Sequence, residues 1–227
     1  MARKKQSRGI CHYCGKDFAK GSMVRHLSTC PQRQAAIIAS GEQKIKKEKL
    51  FHLRTQDARS TDFWLDLELR GSATLHKLDD YLRWIWLECC GHLSMFSIGG
   101  WGGQEISMKR RIDRSFRPGV ELTHIYDFGT ESVTLIKCVA VREGKPTTPH
   151  PIALMARNSP PKYECIECGE PAQWLCDECI IEHGVWGTLC DRHARTHPHD
   201  NYGEPYPLVN SPRMGMCGYD GPAEPPY

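Results

Sequence analysis

Nine of the twelve cysteines stand at metal-ligand spacing, in clusters at opposite ends of the chain. The first cluster reads Cys11-x2-Cys14-x11-His26-x3-Cys30. The second contains Cys165, Cys168, Cys176, Cys179, Cys190, His193, His197 and His199, with Cys217 further on. Thiolates and imidazoles so spaced close tetrahedral zinc sites, and such sites contribute folding energy directly. Both ends of any fold must therefore bring these side chains together.

In the first cluster, a C-x2-C turn lets two thiolates hold one ion. His26 and Cys30 are four residues apart and share a helix face. Phe18 and Met23 supply the apolar packing that a small finger needs. The gap from Cys14 to His26 is one residue shorter than in the common two-Cys, two-His finger, and the last ligand is cysteine. One zinc ion is expected here.

The second cluster falls into four pairs, Cys165/Cys168, Cys176/Cys179, Cys190/His193 and His197/His199. A cross-brace would join pairs one and three on one zinc and pairs two and four on another. One or two zinc ions are expected. His183 and Cys217 are further candidate ligands, and Cys217 can replace either late histidine. Sites saturated by protein ligands leave no position for a reactive water, so the expected role is structural. An incomplete pair would reopen a hydrolytic role.

The thiols come as C-x2-C pairs mixed with histidine, behind a Met-Ala-Arg-Lys-Lys start without an apolar leader. This favours zinc in a reducing cytoplasm over disulfides in a secreted protein. No apolar run reaches membrane-spanning length, so no membrane partner is expected.

The net charge of +3 hides an asymmetry. Residues 1–60 hold fourteen Lys/Arg and four Asp/Glu, whereas the remainder holds sixteen and twenty-three. A basic arm on an acidic body suits a polyanion. Arg3, Lys4, Lys5, Arg8, Lys16, Lys20 and Arg25 are the candidate nucleic-acid contacts. The finger helix offers only Arg25 as a strong base reader, so backbone contact is expected rather than sequence reading. The alternative partner is a protein docked on the C-terminal module and tail.

Between the clusters the pattern indicates an α+β fold, a mostly antiparallel sheet with one packed helix, flanked by two zinc-stabilised modules. The expected layout is a basic disordered leader (1–9), a finger (10–34), a basic helical connector (35–54), the α+β body (55–145), a proline-rich linker (146–162), a binuclear zinc module (163–202) and a proline-rich tail (203–227). Alternation over 62–70 predicts a half-buried strand. Leu75, Leu78, Leu82, Ile85 and Cys89 predict a helix of about four turns from an N-cap at Thr74. Strands are expected at 93–98, 104–108, 121–126 and 133–142, with Gly-Gly-Trp-Gly-Gly (99–103) as a hairpin tip. Trp84, Trp86, Phe96, Trp101 and Phe128 are expected in the core. Cys89, Cys90 and Cys138 lack ligand spacing and are read as buried thiols. Asp127-Phe128-Gly129 reads as a turn. An acid/base set of His92, His124, Asp127 and Glu131 is the weaker alternative.

The segments 74-TLHKLDDYLRWIWLE-88, 92-HLSMFSIGG-100, 122-LTHIYDFGTESVTLIKCVAV-141 and 209-VNSPRMGMCGYDG-221 carry a resemblance. They resemble proteins similar to the third open reading frame of a root-inducing plasmid, a family that includes insertion-element passenger proteins of TnpR type. The resemblance implies an α+β fold and a mobile-element setting, and no defined activity. Where members have an acidic Trp-Asp-Asp stretch, this chain has Trp86-Leu-Glu-Cys-Cys-Gly-His-Leu93, and Thr130-Glu131-Ser132 replaces their Asp-Ser-Trp. No site built on those acids carries over. No serine-recombinase signature is present, and recombinase catalysis is not implied. The spacing of the second cluster also resembles the B-box and related binuclear folds.

Overall fold

A computed structural model describes residues 6–42, 44–199 and 201–227. Arg3, Lys4 and Lys5 lie outside the described residues. The body is a nine-stranded antiparallel sheet of β1 (Arg8–Cys11), β2 (Asp17–Ala19), β3 (Glu48–Asp57), β4 (Trp64–Arg70), β5 (Ser94–Ile98), β6 (Gln104–Ile106), β7 (Glu121–Tyr126), β8 (Ser132–Gly144) and β9 (Ile152–Asn158). Their order is β2-β1-β9-β4-β3-β8-β7-β5-β6. The α+β architecture is as the sequence pattern indicates.

The strand expected over 62–70 forms, but it is buried on both faces. Leu65, Leu67 and Leu69 pack with Leu75, Leu78, Leu82, Ile85 and Trp86. Those last five come from α3 (Leu75–Leu82) and the wider π turn Arg83–Leu87 that continues it. Each fully buried leucine contributes roughly 1.5–3 kcal/mol. The alternate positions, Trp64, Asp66 and Glu68, are buried as well. Their polarity suggested solvent, but the N-terminal module covers that face. Trp64 packs on Cys11, Met23 and Met155. Asp66 accepts bonds from Arg54, and His52 Nε2 lies 2.7 Å from it. Glu68 accepts from Arg33 and Arg142.

Three expected segments differ. The connector 35–54 is not one helix: α1 (Lys20–Thr29) is followed by α2 (Pro31–Ser40), and then β3 begins at Glu48. Pro31 suits the first turn, where its missing N–H costs nothing. Past Ser40 the chain turns into an apolar stretch, Leu50, Phe51, Leu53, which is buried between β4 and β8. The segment 146–162 is not a linker either. Prolines punctuate its ends, but Ile152–Asn158 forms β9 and bridges β1 to β4. Finally, residues 8 and 9 of the expected disordered leader are in β1. Gly9 is required there, because a Cβ would meet Arg157 O at 2.3 Å and the Trp64 ring at 2.6 Å.

The long helix stops at Leu87, short of Cys89. Thr74 sits at the N-cap position of α3 without a side-chain cap bond. Trp86 and Phe96 are core residues, whereas Trp84, Trp101 and Phe128 are exposed, and the last two meet edge to face. Cys138 is a buried thiol, but Cys89 is only partly covered and Cys90 is exposed. Residues 99–103 turn between β5 and β6 as expected, and a short helix, α4 (Ile112–Ser115), follows β6.

Asp79 in α3 is the electrostatic centre of this core. His124 Nε2 and Ser94 Oγ each lie 2.7 Å from Oδ1, and Arg83 Nε lies 2.9 Å from Oδ2. Burial raises its pKa, but His124, Ser94 and Arg83 outweigh it and hold the carboxyl down at about 2, from an ordinary 3.8. A depressed folded pKa stabilises the fold above about pH 4 and loses that stabilisation as pH falls through about 2. This amounts to about 2 kcal/mol. Urea unfolding of wild type and Asp79→Asn should differ most near pH 6 and converge by pH 2. A constant difference across that range would contradict the assignment.

Candidate metal centres

The first centre is built on a hairpin and a helix. Cys11 ends β1, and Cys14 sits in the turn to β2, where the Cys11 carbonyl accepts from Gly15 N. α1 buries Met23 and Leu27 against the sheet and turns His26 toward the hairpin. Cys30 caps the end of α1, immediately before Pro31. The four ligand atoms lie within 4.8 Å of one another, with Cys14 Sγ 3.4 Å from His26 Nε2. Phe18 stacks on the imidazole, with centroids 3.8 Å apart, and fixes its plane. Metal–sulfur and metal–nitrogen bonds of about 2.3 and 2.0 Å imply tetrahedral edges of roughly 3.5–3.8 Å. Burial, then the Lys16 charge, lowers the His26 pKa, which favours the neutral ring a metal needs. Burial pushes Cys11 up to about 11, so deprotonation there requires a cation.

The C-terminal module holds two further sets. Its framework is β10 (Trp174–Cys176), α5 (Asp177–His183), β11 (Gly187–Leu189), α6 (Asp191–Ala194) and β12 (Tyr206–Pro207), with strand order β11-β10-β12. Cys165 and Cys168 face Cys190 and His193: His193 Nδ1 is 3.3 Å from Cys165 Sγ and 3.4 Å from Cys190 Sγ, and the Cys168 and Cys190 sulfurs are 3.8 Å apart. Burial raises the Cys165 pKa, but the backbone N–H groups of Cys190 and Glu167, then His193, outweigh it and bring the thiol to about 6. Cys176 and Cys179 face His197, whose Nε2 is 3.0 Å from Cys179 Sγ. The turn of β11 passes close behind: a Cβ on Gly187 would stand 2.5 Å from Cys179 Cβ.

His199 lies at the margin of this last set. Its Nδ1 is 3.9 Å from Cys176 Sγ, and its Nε2 donates to the Ala194 carbonyl at 3.0 Å. A donated Nε2 proton leaves Nδ1 free as an acceptor or ligand. The first pair thus assembles with the third, and the second pair with His197 of the fourth. His183 is exposed at the end of α5 and belongs to neither set. Cys217 is not in this module: it lies on the body beside Cys89, Cys90 and His92. The proline-rich tail meets both units: Tyr206–Pro207 pairs with β10 of the metal module, whereas Ser211 and Arg213, both buried, bond to the body.

Glu167 joins the two C-terminal sets. It stands between Cys165 and Cys168; Oε1 is 2.6 Å from His197 Nδ1, and Oε2 is 3.6 Å from His193 Nε2. A carboxylate behind a ligating imidazole fixes its tautomer and raises its basicity. Sequence spacing did not single out Glu167, although its position inside the first C-x2-C pair is a usable signal.

The candidate nucleic-acid residues are dispersed in role. Lys16 and Arg25 are exposed. Arg8 pairs with Asp17. Lys20 bonds to Gln56 and to the Thr61 carbonyl, and burial lowers its pKa to about 8. Of the acid/base alternative, only His92 and Asp127 come together, with Nε2 3.4 Å from Oδ2, and Asp127 also pairs with Arg213; His124 pairs with Asp79, and Glu131 with Arg59. Asp127 does form the expected turn, accepting from Gly129 and Thr130 N–H.

No family model matches the sequence. No curated protein matches it. A crystal structure of a protein of unknown function from Methanosarcina mazei Go1 is similar to part of the chain, with 18% identity, a TM-score of 0.42, and coverage of 54% of this chain and 75% of that one. Among the described residues, no helix is long and apolar enough to cross a membrane.

Proposed function

We propose that this is a zinc-binding protein of non-enzymatic, structural metal chemistry that contacts nucleic-acid backbone through its N-terminal module. The observation that carries the zinc reading is the closure of three Cys/His sets at distances a tetrahedral ion demands. Two sets offer four protein donors, and the third offers three with His199 adjacent. Donors that are all protein side chains hold an ion rather than present it to substrate. The resemblance to plasmid and insertion-element proteins supports a mobile-element setting.

The nucleic-acid reading rests on charge. Fourteen cations against four anions in residues 1–60 favour a polyanion. Lys16 and Arg25 are the exposed candidates on the module, and Lys44, Lys46, Lys47 and Lys49 extend the exposed cationic segment before and into β3. Arg8 and Lys20 are engaged within the protein and are assigned no contact. Anisotropy with a labelled DNA duplex should show binding at 50 mM salt that weakens steeply by 200 mM. Lys16→Ala with Arg25→Ala should reduce the salt slope by about 0.9 for each phosphate no longer neutralised, without changing sequence preference. Salt-independent affinity, or no binding to DNA or RNA at low salt, would refute this reading.

A second reading, docking of a protein partner, is favoured by one observation: Ile166, Ile181, Val185 and Trp186 are all exposed on the C-terminal module. It requires a copurifying protein that Ile181→Asp releases while nucleic-acid affinity is unchanged.

A further inference from the structure

Four potential ligands meet outside the three centres described above. Cys89 and Cys90 follow the π turn, Gly91 bends the chain at φ 79°, and His92 comes next. The tail brings Cys217 to them from 125 residues away. Cys89 and Cys90 sulfurs are 3.5 Å apart, Cys90 Sγ is 2.9 Å from His92 Nε2, and Cys217 Sγ is 3.8 Å from the same nitrogen. All four ligand atoms lie within 4.8 Å of one another. These spacings span the edges of roughly 3.5–3.8 Å that a zinc tetrahedron needs. They are also far beyond the roughly 2.05 Å of a disulfide.

Two further observations point to an ion. Cys217 holds a left-handed backbone, φ 52°, which a non-glycine residue adopts only when its surroundings demand it. Beside the cluster lies Arg213, a fully buried arginine. Its Nη2 is 3.4 Å from Cys89 Sγ, 3.5 Å from Cys217 Sγ and 2.6 Å from Asp127 Oδ2. Asp127 Oδ2 is also 3.4 Å from His92 Nε2. Three thiolates and one imidazole around a dication carry a net charge of −1. Arg213, already paired with Asp127, also sets its guanidinium beside two of the sulfurs and offsets part of that charge.

We propose that Cys89, Cys90, His92 and Cys217 form a further zinc site that fastens the tail onto the α+β body. The soft donor set selects a thiophilic ion, and its closure by four side chains makes the site structural. The site does not depend on occupancy of the other three.

The test uses the full chain, expressed with zinc and purified anaerobically under reducing conditions. Zinc per chain is counted by elemental analysis and native mass spectrometry. Cys217→Ser and, separately, Cys90→Ser should each lose one zinc relative to wild type. Because Cys90 is exposed, its variant guards against loss through misfolding. In both variants residues 209–227 should become more sensitive to protease. After cobalt replacement, the sulfur-to-cobalt charge-transfer absorbance should fall by the share of one three-thiolate site. If the other centres bind nothing, the wild-type count falls but its difference from both variants persists. Equal counts in wild type and both variants overturn the proposal. So does a Cys89–Cys90 or Cys89–Cys217 disulfide in the purified protein.

Discussion

Cys11→Ser is expected to remove one zinc ion and to lower the melting temperature by about 10–20 °C. Cys11 is not a peripheral ligand. It ends β1, which is hydrogen-bonded to both β2 and β9, and it lies in a buried cluster with Met23, Leu27, Trp64 and Met155. Structural zinc is worth roughly 10–16 kcal/mol to isolated finger peptides, comparable to the whole stability of a domain. The packed sheet beneath retains part of that, so a loss of about 5 kcal/mol is expected. At about 2–4 °C per kcal/mol for a chain of this size, the stated shift follows. Calorimetry with metal analysis of the same sample checks it. A variant that melts within about 2 °C of wild type would mean that the finger is held by packing alone.

Glu68→Ala should destabilise the fold by about 3 kcal/mol, because it strands the buried Arg33 and the partly covered Arg142. Glu68 sits on the covered face of β4. It accepts from Arg33 of α2 at 3.0 Å, and from Arg142 of β8 at 2.8 and 2.6 Å. Arg33 also donates to the Leu27 carbonyl at the end of α1. The carboxylate therefore ties the helices of the metal finger to the sheet. Glu68→Gln keeps the shape and part of the bonding, and it should fall between wild type and alanine in urea unfolding. Equal stability of all three proteins would show that the pairing contributes nothing net.

The metal ligands that the sequence revealed are those close together in it. C-x2-C pairs and an x3 Cys/His step are local geometry, so spacing alone identifies them. The set at Cys89, Cys90, His92 and Cys217 was not legible, because tertiary folding brings its fourth member from the far end. The charged residues of β4 misled for a related reason. Alternation separates two faces, but it cannot show that a second layer covers the polar one, and Asp66 and Glu68 found arginine partners there. Proline richness hid β9, although Ile152–Ala156 is a continuous apolar run. The lysines of 44–49 suggested a basic helix, where β3 begins at Glu48.

The pairing of Gly9 with Asn158 has a consequence for biosynthesis. The strand beside the amino-terminal hairpin emerges from the ribosome some 150 residues later. The first metal can be captured early, but the floor supplied by Met155 and Ala156 arrives only when two thirds of the polypeptide has been made. During that interval the Trp64 side of the nascent chain stays uncovered, and the entropy of so large a loop delays its sealing. Early metal capture would hold this segment in register while it waits.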